Sequence, residues 1–159
     1  MMNLFKLDIG YIPCHPTIVS AMLDLAEITK DDVLYDLGCG DGRIVITAAQ
    51  KYHIPAVGID LDPQRIADAR NNAIQAGVSH QVNFLSQNLF ESDFSQATVI
   101  TLYLLPHLNL KLRPLLWQQL KPGSRIISRD FDMEDWPPSK IVDLQVEEED
   151  IKLYSWVVS

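Results

Sequence analysis

Asp36-Leu37-Gly38-Cys39-Gly40-Asp41-Gly42-Arg43 is the stretch on which the fold turns. The apolar run before it, 32–37, predicts a short strand, and residues 43–52 repeat apolar side chains at helical spacing. The octapeptide is therefore a strand-to-helix turn. Its glycines alternate with other residues, which lets the backbone bend sharply and approach a ligand closely. The helix that follows would offer unpaired N–H groups and the positive end of its dipole. Dinucleotide-binding turns use Gly-x-Gly-x-x-Gly. Here the spacing is Gly-x-Gly-x-Gly, led by an acid at the strand end.

Outward from the turn, strand and helix continue to alternate. Residues 56–59 predict a strand running into Asp60, an acid placed to take both hydroxyls of a ribose. Leu61 follows and could press on a base. Asp62, Pro63 and Gly77 read as N-cap, first position and C-cap of a helix over 63–76. Strands are expected at 82–85, 97–104 and 125–128, with helices at 17–26 and 109–120. Segments 141–146 and 152–158 flank the acidic run Glu147-Glu148-Glu149-Asp150, which reads as a solvated turn between antiparallel strands. Strands separated by helices imply parallel crossovers. The expected fold is α/β and Rossmann-like, mostly parallel, with helices on both faces and an antiparallel C-terminal hairpin. One domain over 1–159 is expected: an N-terminal segment and helix (1–30), a cofactor-binding core (31–130) and the hairpin region (131–159).

The glycine motif with Gly58-Ile59-Asp60 resembles the class I S-adenosylmethionine (SAM)-dependent methyltransferases. Tyr11-Ile12-Pro13, Thr101-Leu102-Tyr103-Leu104-Leu105-Pro106 and Asp130-Phe131-Asp132-Met133 before Trp136 narrow the likeness. They resemble a small-protein branch related to the mitochondrial lysine methyltransferases of an ATP-synthase subunit and an adenine-nucleotide carrier. The resemblance implies a seven-stranded sheet, SAM as cofactor and S-adenosyl-L-homocysteine as product. Asp36 is then placed to accept from the ligand's amino group, Gly38 and Gly40 to line the turn, and Asp60 to hold the ribose. Leu61 would press on the adenine, Leu89 would belong to the cofactor-binding set, and Tyr11 would fold over the cofactor. Related enzymes carry Asp where Asn88 stands; an amide oxygen can still accept from the adenine amino group.

Ligands of open parallel sheets bind beyond the carboxyl ends of the strands, so the end of the fourth strand should face the methyl group. Leu102-Tyr103-Leu104-Leu105-Pro106 is not the Asn/Asp-Pro-Pro-Tyr/Phe of base N-methyltransferases, which argues against a nucleic-acid base as acceptor. Tyr103 and Asp130 are the expected acceptor-pocket residues, with Asp132 and Asp135 as alternatives for orienting an amine. The tyrosine ring can pack along a lysine stem and contact its cationic head. Trp136-Pro137-Pro138 reads as a rigid rim. The expected activity is protein-lysine N-methylation; methyl transfer to a small molecule and SAM binding without catalysis are the alternatives.

Bulk properties fit this reading. The chain has 159 residues, 47% apolar and 21% charged. Its net charge of −8 points away from phosphate backbones and towards a cationic or protein acceptor. Two cysteines, Cys14 and Cys39, are too few for a disulfide framework. No metal site is expected, since Cys14-His15 lacks a second ligand cluster. Without an apolar run of membrane-spanning length, a cytoplasmic location is the expectation.

Overall fold

A computed structural model of the protein describes residues 14–159. α1 (Pro16–Leu25) opens where His15 Nδ1 accepts from the Thr17 N–H at 3.1 Å, with Pro16 in its first turn. There follow β1 (Leu34–Leu37), α2 (Arg43–Tyr52), β2 (Ala56–Asp60), α3 (Pro63–Gln75), β3 (Val82–Ser86), β4 (Val99–Leu102), α4 (Pro106–Gln119), β5 (Arg125–Arg129), β6 (Lys140–Val146) and β7 (Glu149–Val157). Asp62 caps α3 by accepting from the Gln64 N–H, as its position before Pro63 predicts.

The seven strands form one sheet in the order β3-β2-β1-β4-β5-β7-β6. β1 to β5 pair in parallel, and β7 runs antiparallel between β5 and β6. β6, not the last strand, is therefore the sheet edge. Strand order reverses between β1 and β4, and the crevice beyond this switch point is where such sheets bind ligands.

Each sheet face carries its own apolar layer. α1 and α2 bury Ile18, Met22, Val45 and Ala48 against one side, with Phe84. α4 buries Leu112 and Leu116 with Ile100, Ile126 and Trp156 on the other. At the foot of the sheet Arg125 latches α1 to the strands. Its guanidinium donates to Asp32 at 2.8 and 3.1 Å and to the Ala26 carbonyl at 3.0 Å.

Several boundaries differ from the sequence expectation: β1 starts at Leu34 rather than 32, and β7 at Glu149 rather than 152, so Glu149 and Asp150 belong to the strand and not to the turn. β4 is shorter than 97–104 and ends at Leu102, and α4 starts at Pro106 rather than at 109. Pro106 takes the first helical position, where its missing N–H costs nothing. The residues in between, 103–105, become a connector at the carboxyl edge of the sheet.

Candidate functional site

The turn after β1 reverses through Gly38, Gly40 and Gly42, with φ of +89°, +54° and +85°. A Cβ on Gly42 would stand 2.8 Å from the Phe84 ring. The Gly38 and Cys39 N–H groups donate to the Ile59 carbonyl at 2.7 and 3.0 Å, which ties the turn to the end of β2. Asp60 completes the tie. Its Oδ2 accepts from the Gly40 N–H at 2.9 Å and its Oδ1 from the Asp62 N–H at 3.0 Å. One buried carboxylate thus shapes both turns, and its unused lone pairs remain available to a ligand.

The start of α2 departs from the sequence reading, which left its N–H groups unpaired. Asp41 Oδ1 accepts from the Arg43 N–H at 3.3 Å, and the Asp41 carboxylate pairs with the Arg43 guanidinium at 2.7 Å. A carboxylate of the protein thus already takes the first N–H of this helix.

Asp36 lies beneath the turn, 4% exposed, and its Oδ1 accepts from the Thr101 hydroxyl of β4 at 2.9 Å. Burial pushes its carboxyl up to about 7 against that hydrogen bond, and the negative charges of Asp60 and Asp41 add to the rise. A cation placed here would restore the ionised form. Leu61 is 70% exposed, a large apolar side chain open beside the end of β2. Asn88 Oδ1 accepts from the Phe90 N–H at 2.9 Å and caps the short 3₁₀ turn Leu89–Glu91. Leu85, Gln87 and Asn88 line a cavity of about 570 Å³ with Glu91, Ser92 and Asp93. Tyr11 lies outside the described residues.

At the end of β4, Leu104 reaches the glycine turn: a Cβ on Gly38 would meet it at 3.2 Å. Tyr103 beside it stacks on Phe131 (centroids 6.2 Å apart, planes at 12°), and the Arg129 guanidinium lies 4.2 Å from its ring centroid. The cation contact expected of Tyr103 is therefore already made by the protein itself. Burial raises its phenol, partly against the Arg129 charge. Asp130 follows β5 with φ +65°; its Oδ1 accepts from the Lys152 N–H and its Oδ2 from Arg129 Nε. Asp132 caps the Glu134 N–H and Asp135 pairs with Arg113, so neither stands as a free acid. Trp136 packs against Trp117 and Trp156.

Three residues escaped the sequence reading. Thr101 and Asn109 are polar residues buried within apolar segments, and Arg129 is a guanidinium only 3% exposed. Asn109 Nδ2 donates to the Phe131 and Asp132 carbonyls and so holds the loop that carries the Phe131 ring. A charged residue directly after the strand expected at 125–128, next to Asp130, was the one available signal for Arg129.

The donor set fits SAM: a Cβ-free turn, a buried acid below it and a second acid at the end of β2. Among the described residues, no group of three or more His, Cys, Asp or Glu side chains could hold a metal ion, and no helix is long and apolar enough to cross a membrane. The ANTKMT methyltransferase domain matches residues 36–140. A protein-lysine N-methyltransferase of Saccharolobus islandicus is 38% identical over 94% of both chains. The adenine nucleotide translocase lysine N-methyltransferase of Mus musculus is 30% identical over 86% of this chain, which spans 59% of that protein's length. An RNA methyltransferase from Salinibacter ruber, whose crystal structure holds S-adenosyl-L-homocysteine, is 50% identical with a TM-score of 0.88, covering 92% of this chain and 94% of its own. The chain belongs to the ANTKMT methyltransferase domain family and is a SAM-dependent methyltransferase.

Proposed function

We propose that the protein methylates lysine side chains of a protein substrate, with SAM seated across the turns after β1 and β2. Asp60 takes the ribose and Asp36 lies opposite the ammonium. Gly38 and Gly40 line the turn, Leu61 and Leu89 flank the adenine, and Asn88 stands at its edge. Tyr11 is assigned to the cover of the cofactor on sequence grounds alone. When bound, SAM supplies a methyl group already activated on a sulfonium.

The observation that carries the reading is the aromatic wall of Tyr103 and Phe131; Tyr103 is next in the chain to Leu104, which meets the glycine turn at Gly38. A flat apolar wall guides a lysine stem and excludes water. Partial desolvation there lowers the amine from its ordinary pKa of about 10.4 and yields the neutral nucleophile. Asp130 lies at the rim of this wall and orients the incoming amine. The net charge of −8 and the acidic β6–β7 tip, at the carboxyl end of β5, favour a cationic partner. The activity of the Saccharolobus islandicus relative supports the same substrate class.

Methylation of RNA is the second reading, favoured by the likeness to the Salinibacter ruber RNA methyltransferase. The test is incubation with methyl-labelled SAM and a cell lysate, followed by mass spectrometry of protein, RNA and metabolite fractions. Methyl-lysine in protein is expected. Label confined to RNA would transfer the assignment to that polymer, and label confined to small molecules would reject both.

A further inference from the structure

Arg129 ends β5 as a buried cation, and its position at the carboxyl edge is shared with the glycine turn. The link runs through Cys14: its carbonyl accepts from Arg43 Nη1 at 2.8 Å, and its Sγ from Arg129 Nη1 at 3.4 Å. Arg43 is the first residue of α2, directly after the turn. The two guanidinium groups thus flank the same residue, but they are not equally engaged. Arg43 spends Nε and Nη2 on Asp41 and Nη1 on Cys14.

Arg129 has five N–H groups. Among the described residues its side-chain hydrogen bonds are two, to Asp130 Oδ2 at 3.3 Å and to Cys14 Sγ. Glu149 Oε2 stands 3.6 Å from Nη2, beyond hydrogen-bond range, on a side chain 63% exposed. Asn109 Oδ1 is the one sealed side-chain atom without a partner among the described residues, so the spare Arg129 N–H groups are not walled in. A guanidinium so placed is well matched to a carboxylate, which it can bind through two parallel N–H groups.

SAM carries one carboxylate, and at the helix end that would ordinarily take an anion the first N–H is already engaged by Asp41. We propose that Arg129 holds the carboxylate of the SAM methionine moiety. The assignment rests on the placement of SAM given above. Asp130 and Glu149 are the anions that compete for the same cation. Asp130 Oδ1 is committed to the Lys152 N–H, and Glu149 is solvated and free to withdraw. Tyr103 lies against one side of the guanidinium, whose position is set by Asp130 and Cys14.

The test is calorimetric binding of SAM and of decarboxylated SAM, which keeps the ammonium and sulfonium but lacks the carboxylate. Wild-type protein should prefer SAM by about ten- to a hundredfold, the range of a charge-assisted pair. Arg129→Met should bring the two ligands within about twofold of each other, mainly by weakening SAM. Arg129→Gln serves the same purpose if the methionine variant does not fold. A folded variant that keeps the wild-type preference overturns the assignment and leaves Arg129 a purely structural cation. Asp60→Ala separates the two readings: if it loses SAM while Arg129→Met keeps the preference, only the Arg129 assignment fails. If Asp60→Ala binds SAM normally, the placement of the cofactor fails first.

Discussion

At the scale of single residues the site is a set of buried charges whose partners decide their state. Asp60 already accepts two backbone N–H groups, so it both shapes the turns and receives the ligand. Asp60→Ala is expected to abolish measurable SAM binding in calorimetry while releasing the Gly40 N–H. Asp36 behaves differently, because burial holds its carboxyl near 7. A neutral Asp36 attracts an ammonium poorly, so SAM affinity should rise with pH through this region. A titration from pH 6 to pH 7.5 should tighten the dissociation constant by up to about eightfold, the linkage of one proton, and Asp36→Asn should flatten the slope. Tyr103→Ala removes the aromatic wall without touching the glycine turn. Its expected outcome is unchanged SAM affinity with methyl transfer reduced at least about tenfold, read by single-turnover assay; equal turnover would exclude Tyr103 from the acceptor site.

At the scale of elements the strand–turn–helix unit is the part most tightly determined. Gly42 must adopt φ +85° and has the Phe84 ring where a side chain would go. Gly42→Ala therefore meets both a left-handed backbone penalty and overpacking, together about 2–4 kcal/mol of stability, measurable by denaturant unfolding. The β6–β7 hairpin shows how an element acquires a second role from its position. Its turn, Glu147 and Glu148 with φ of +50° and +69°, is solvated as the charge run implied. Because β7 runs antiparallel to β5, that tip lies at the carboxyl edge of the sheet. There Glu147 meets His15 at 3.3 Å, and Glu149 approaches Arg129. The hairpin thus braces the start of α1 as well as closing the sheet.

At the scale of the molecule two buried acids give the stability curve opposite slopes. Burial alone would raise Asp32, but Arg125, the Thr29 N–H and the Thr98 hydroxyl outweigh it and hold the carboxyl at about 2. A depressed folded pKa stabilises above the unfolded value of about 3.9 and is lost as pH falls towards 2, a term of about 2 kcal/mol. Asp36 has a raised folded pKa, so its contribution is present in acid and is lost as pH rises from about 4 through about 7. SAM offsets that loss, and the rise in Tm on adding SAM should be larger at pH 8 than at pH 6; an equal rise would show that Asp36 does not sense the ligand. What the sequence by itself determined was local and periodic. The glycine turn, the acids at the ends of β1 and β2, the Asp62 cap and the alternation of strand and helix are each legible from neighbours within a few residues. Only the tertiary structure decided that β7 lies between β5 and β6, that Asp41 takes the first N–H of α2 and that Arg129 sits on Tyr103 beside Cys14. Those facts depend on groups far apart in the chain, and which buried charge meets which partner is set by packing, not by spacing.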